Sequence, residues 1–217
     1  MIRQRGGGGF GRFFAQSYSA NVPYDGRFTF VRMSYPATGG RNGAGYPAWS
    51  HDYPDGEGHF MKILTAVTNV SGHTTGSAIM AFDDPDMFRH PLIYLCEPGF
   101  WTMTDDQVVK LREYLSKGGF LIVDDFPAWA WSNFDLQMSR VFPSGQWQDM
   151  NEVPQHPIFH AFYEVDANAI PTYYDLGGKP QFRALFEDND PNKRMMVIAN
   201  YMNDLSEYWE YSETGAR

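Results

Sequence analysis

The chain is poor in cysteine, in basic side chains and in long apolar runs. Its single cysteine, Cys96, excludes an internal disulfide framework and any zinc or iron–sulfur centre built on several thiolates. No stretch reaches the roughly 18 uninterrupted apolar residues that a membrane-spanning helix needs. Lys and Arg number 17 against 26 Asp and Glu, giving a formal charge of −9. That balance argues against nucleic acid as a partner, since its binders present a clustered basic face. Gly39-Gly-Arg-Asn-Gly43 is not followed at once by a helix and lacks a Lys-Ser/Thr ending, so a phosphate cradle is not supported either. Met1 to Arg5 runs into Gly6 to Gly9 where the apolar centre of an export signal would stand. The expectation is a cytoplasmic protein or a chain that starts after a removed signal.

What is present is 217 residues, enough for one domain of ordinary to large size with a core of its own. Charge is uneven: residues 1–41 hold six arginines and one acid, Asp25, and the remainder is strongly acidic. Residues 1–25 are rich in Gly, Arg and aromatics, a backbone that loses much entropy on ordering, and are expected to form a flexible tail. Residues 26–217 are expected to form a single α/β domain.

The order of elements follows from periodicity. Arg27 to Ser34 alternates apolar and polar residues as a strand does, and a Gly- and Pro-rich loop, Tyr35 to Tyr53, follows. A helix is expected from Pro54 to about Thr68, with Phe60, Ile63, Leu64 and Val67 as its apolar stripe. Ser77 to Phe82 and Leu92 to Cys96 read as strands around a polar turn. Thr104 and Gln107 form a capping box, Asp105 and Asp106 suit the positive end of the helix dipole, and Gly118 is the left-handed stop. Phe120 to Asp124 is then a continuous apolar run, as in parallel strands covered on both faces. A further helix is expected from a Ser132 cap to about Phe142, and Phe182 to Phe186 with Met195 to Ala199 reads as a hairpin. Together these predict an open, doubly wound, mostly parallel α/β sheet with a C-terminal β-hairpin.

Several of these segments resemble the bacterial family named domain of unknown function 4159. They are Phe28-Thr-Phe-Val-Arg32, Asp52-Tyr-Pro54, Gly118 to Phe126, Phe134 to Pro143, His156-Pro-Ile-Phe-His160 and Asn203-Asp-Leu205 before Tyr208-Trp-Glu210. Thr104 to Asp124 also resembles the helix and strand of class I glutamine-amidotransferase-like folds. The resemblance spans roughly residues 27–211. It implies an amidotransferase-like or flavodoxin-like fold in proteins often exported or membrane-linked, with no established activity. An exported or periplasmic location is thus an expectation from resemblance alone.

Amidotransferase chemistry needs a Cys on a Gly-flanked strand-to-helix elbow. Cys96 is flanked by Leu95, Glu97 and Pro98, and no Gly-x-Cys-x-Gly occurs, so glutaminase activity is not expected. Ligands of open α/β sheets bind beyond the carboxyl ends of the strands. Those ends bring forward Tyr35, Glu97, Asp124, Asp125 and, after the last strand, Asp204. Such oxygens suit calcium or magnesium, though no cofactor is expected outright, or they can act as a general acid and base on a glycoside. Alternatively Asp124 and Asp125 cap a neighbouring turn. His51 and Asp52 could pair in the same crevice, or Asp52 could cap the helix behind it. His156 and His160 are read as loop histidines bonded to backbone. Loop aromatics, Trp101 and Trp129 among them, either hold a sugar or peptide or serve as small loop cores. The expectation is a non-catalytic binding or assembly module for a protein or saccharide, with a paired-carboxylate hydrolase as the alternative.

Overall fold

A computed structural model describes residues 18–36, 46–172 and 179–212. In chain order the elements are β1 (Val31–Met33), α1 (Asp55–Val67), β2 (Ala78–Met80), β3 (Leu92–Cys96), α2 (Asp105–Ser116) and β4 (Phe120–Asp124). They continue with α3 (Trp131–Val141), β5 (Gln148–Asp149), β6 (Gln181–Phe186), β7 (Met195–Tyr201) and α4 (Ser206–Glu210). One seven-stranded sheet has the order β2-β1-β3-β4-β7-β6-β5. Neighbours from β2 to β7 are parallel, and β6 pairs antiparallel with both β7 and β5. The mostly parallel α/β sheet with its C-terminal hairpin is therefore as expected.

Strand alternation assigns the two faces. Val31, Met33, Ile93, Leu95, Leu121 and Val123 meet inward residues of α2 and α3, such as Leu111, Leu115, Phe134 and Met138. Phe30, Tyr94 and Cys96 point the other way, toward Met61 and Leu64 of α1 and Trp209 of α4. Helices on both faces leave the central strands no solvent side, which is why their sequences read as continuous apolar runs. Chain direction reverses between β1 and β3: from β1 the chain crosses outward to β2, and from β3 it crosses the other way to β4. That division between the carboxyl ends of β1 and β3 is where open α/β sheets place ligands.

Three expectations change. Residues 1–17 lie outside the described residues, but Asn21 and Val22 of the expected tail lie against the sheet edge, and Tyr18 packs on Trp49 and Tyr53. Val22 N–H donates to Ser77, and the Asn21 amide pairs with both the N–H and the carbonyl of Ile79. In α1 Ile63 is exposed, and the inward positions include Glu57 and Met61, because a buried arginine faces that helix. Helix α3 starts at Trp131 without a side-chain cap: it continues from a 3-10 turn, Ala128–Ala130, and the Ser132 hydroxyl donates backward to Trp129. The short β5 and α4 escaped periodicity, being too brief to show one.

Thr104 and Gln107 form the full capping box, and Gly118 has φ of 113°. Thr104→Ala is expected to cost about 1 kcal/mol, a fall of roughly 2–4 °C in melting temperature for a domain this size. Thr104→Ser should keep most of it; equal melting of all three proteins would contradict the assignment.

Candidate functional site

The site begins with a charge inside a strand. Arg32 occupies the middle of β1 and is 1% exposed, so its guanidinium needs partners for its donors. Its Nε and Nη2 engage the Glu57 carboxylate of α1, the latter at 3.0 Å, and Nη1 donates to the carbonyls of Trp49 at 3.0 Å and His51 at 2.8 Å. The guanidinium also lies 5.0 Å from the Tyr94 ring centre. One side chain thus ties β1 to the first turn of α1 and to the segment carrying His51.

Parallel register supplies the other side. Cys96 pairs with Asp124, so the next residues, Glu97 and Asp125, leave the sheet side by side. Both turn through left-handed backbone, with φ of 47° and 51°, and Asp52 has φ of 62°. Three non-glycine residues in that region around one histidine are uncommon, and such strain concentrates at functional sites. Asp125 Oδ2 lies 2.6 Å from His51 Nδ1, Glu97 Oε1 lies 3.3 Å from the same nitrogen, and Asp52 Oδ1 lies 3.6 Å from Nε2. Hydrogen bonds donated to Asp125 and then to Glu97 hold the His51 imidazole protonated far above its ordinary range, against a burial that opposes charge. Glu97 is displaced upward, chiefly by burial, with its bond to His51 pulling the other way.

Beneath lies a second layer. Asp124 is fully buried and accepts from the backbone amides of Leu205 at 3.0 Å and Ser206 at 2.8 Å, and from the Asn200 amide at 3.1 Å. Burial pushes its carboxyl up to about 7, although these donors pull it down. A strand-end aspartate therefore accepts from the backbone amides at the start of α4. The Ser206 hydroxyl meets both Asp52 and Asp204 Oδ1, the latter at 2.7 Å. A hydroxyl has one proton to give, so two ionised carboxylates cannot both receive it. Asp204, 1% exposed among Asp125, Asp124 and Asp52, has its carboxyl raised well above the usual range, first by burial and then by those charges.

The remaining expected site residues divide. Asp52 does not cap α1; its backbone carbonyl accepts from Gly56, and its side chain turns inward to Ser206 and His51. Tyr35 is buried and shares its one hydroxyl proton between the carbonyls of Cys96 at 2.9 Å and Glu97 at 2.7 Å, bracing the β3 elbow. Trp101 is wholly buried against Phe82 and Phe134 and belongs to the core, since its loop folds back under α3. Trp129 is 55% exposed, lying over Phe100 and against Gly99, where a Cβ would come within 2.3 Å of the indole. Cys96 is buried with its thiol pushed up by desolvation, and its sulfur lies 3.9 Å from Asp125 Oδ2. His156 accepts from the Ile158 amide and His160 bonds to the Pro154 carbonyl, as expected of loop histidines. Arg32, Glu57 and Ser206 were not singled out from sequence. An arginine at the centre of an otherwise apolar strand was the available signal for the first.

A family model described as a domain of unknown function (DUF4159) matches residues 29–217. No curated protein matches the chain.

Two outcomes check this geometry. Arg32→Met alone leaves Glu57 buried without a counter-charge and is expected to cost about 3–5 kcal/mol in chemical denaturation. For Asp204 the folded chain keeps a proton that the unfolded chain releases above its ordinary value of 3.8, so its contribution to stability falls as pH rises from there toward the raised folded value. Asp204→Asn replaces the protonated acid by an amide. It should be at least as stable as the parent near neutrality, with an advantage that grows across that window; a constant disadvantage would show that Asp204 is ionised.

Proposed function

The chain belongs to that family, whose description assigns no role, and on this premise we propose that it is a non-catalytic binding or assembly module. The observation that carries the reading is what stands at the β3 elbow. A nucleophilic elbow exposes its nucleophile on strained backbone between strand and helix. Here the strained position holds Glu97, and the only thiol, Cys96, faces the interior. An amidotransferase-like scaffold that lacks its nucleophile fits this arrangement. His51 is also poorly suited to act as a general base, because Asp125 and Glu97 keep it charged.

The crevice would take a ligand bearing polar groups for His51, Glu97 and Asp125. Trp129, exposed on the turn that follows Asp125, adds a flat ring for a saccharide or peptide. A cavity of about 380 Å³ opens near Arg112, Phe142 and Leu185, and none of its lining residues belongs to the carboxylate cluster. An exported location belongs to the same proposal.

One observation favours a second reading, a hydrolase. Ligand atoms of Glu97 and Asp125 lie no more than 4.8 Å apart, near enough for the two carboxyl groups to act as a pair, as those of retaining glycosidases do. Isothermal titration with a panel of soluble oligosaccharides and peptides, run beside chromogenic glycoside assays, separates the two. The module reading expects binding without turnover, weakened at least tenfold in Trp129→Ala and His51→Ala with folding retained. Turnover that disappears in Asp125→Asn would replace the module with the hydrolase.

A further inference from the structure

Donors of three kinds gather at His51. Ligand atoms of His51, Glu97 and Asp125 all lie within 4.8 Å of one another, and so do those of His51, Asp52 and Cys96. Two carboxylates approach a single nitrogen, Nδ1, at 2.6 and 3.3 Å. One N–H cannot satisfy both, whereas a cation can meet all three atoms at once. A separate observation points the same way. Asp204, 1% exposed and adjoining Asp52 through the shared Ser206 hydroxyl, has an Oδ2 with no hydrogen-bond partner among the described residues. A buried carboxyl oxygen without a hydrogen-bond partner is costly, and positive charge near it would offset that cost. Arg32 does not supply that charge, since its guanidinium is committed to Glu57 and two carbonyls.

We propose that this ring binds a divalent transition-metal ion of the zinc class through His51 Nδ1, Glu97 and Asp125. The proposal rests on reading the crevice as a binding site and names what would anchor a ligand there. Calcium and magnesium take sets of oxygen donors, whereas imidazole with carboxylates, and a thiol close behind, suits zinc and cobalt. Three protein ligands leave a fourth position open toward solvent, on the side where the His51 side chain is 37% exposed. A donor atom from a saccharide or peptide could fill it. On binding, the Nδ1 proton passes to solvent as the metal takes the lone pair. The His51–Asp125 separation opens from 2.6 Å to beyond about 3 Å, as two donors about 2.0–2.2 Å from one tetrahedral ion require.

The test is a Co2+ titration of the chelator-treated full chain, read by visible ligand-field absorption. Expected are one tetrahedral-type Co2+ per chain, displacement by an equivalent of Zn2+, and no displacement by a hundredfold excess of Ca2+ or Mg2+. His51→Ala and Glu97→Gln, each checked for folding by circular dichroism, should lose the band. His160→Ala should keep it, because His160 pairs with Glu164 at the exposed surface, away from the ring. An absorption no different from free Co2+, a band unchanged in both His51→Ala and Glu97→Gln, or displacement by Ca2+ would overturn the proposal. No organic ligand takes part, so such a failure leaves the module reading to its own titrations. A bound metal without saccharide or peptide binding would overturn that reading alone.

Discussion

A buried guanidinium determines much of what this molecule can present at its surface. Arg32 cannot be left in the interior without partners, and the three groups that satisfy it come from two parts of the chain: Glu57 from α1 and the carbonyls of Trp49 and His51 from the preceding segment. Buried ion pairs are often no more stabilising than apolar residues of similar shape, because removing two charges from water offsets their attraction. Their value here is geometric. With Arg32 fixed by the sheet, the backbone of His51 is held over the ends of β1 and β3, where the sheet divides.

The rest of the site follows from parallel pairing. Because Cys96 and Asp124 are in register, Glu97 and Asp125 arrive together, and the left-handed turn at each aims its carboxylate across the strand ends. His51 closes the gap between them. Beneath it Asp124 uses its oxygens to start α4, which brings Ser206 against Asp52 and Asp204. The layers differ in chemistry: the lower is a set of donors and acceptors that secures backbone, and the upper is an accessible imidazole with two acidic partners.

The fold was legible because its central units are locally consistent. The capping box at Thr104, the stop at Gly118 and the apolar runs of β3 and β4 each carry their own signal, and their boundaries fell at or near the expected residues. The strand-end rule brought Glu97 and Asp125 forward without any contact information, and the adjacent His51 and Asp52 stood out separately as a pair able to share that crevice. What sequence could not supply was direction. Asp124 and Asp125 are neighbours with opposite fates because consecutive strand residues face opposite ways and one continues into a turn. Tyr35 and Trp101 are loop aromatics whose burial depends on what folds over them, and Arg32 sits at a polar position of an alternating strand, where no local signal shows that α1 covers it.

The central claim is that Arg32 and Glu57 hold the His51 segment in place. Amide hydrogen exchange on the double variant Arg32→Met with Glu57→Leu tests it most directly, since replacing both charges avoids an unpaired buried ion. Ser50, His51, Tyr53 and Gly56 donate to carbonyls within that segment and should be protected in the parent protein. The account predicts that these amides lose protection in the double variant while β3, β4 and β7 keep theirs. Unchanged protection from Ser50 to Gly56 would contradict it.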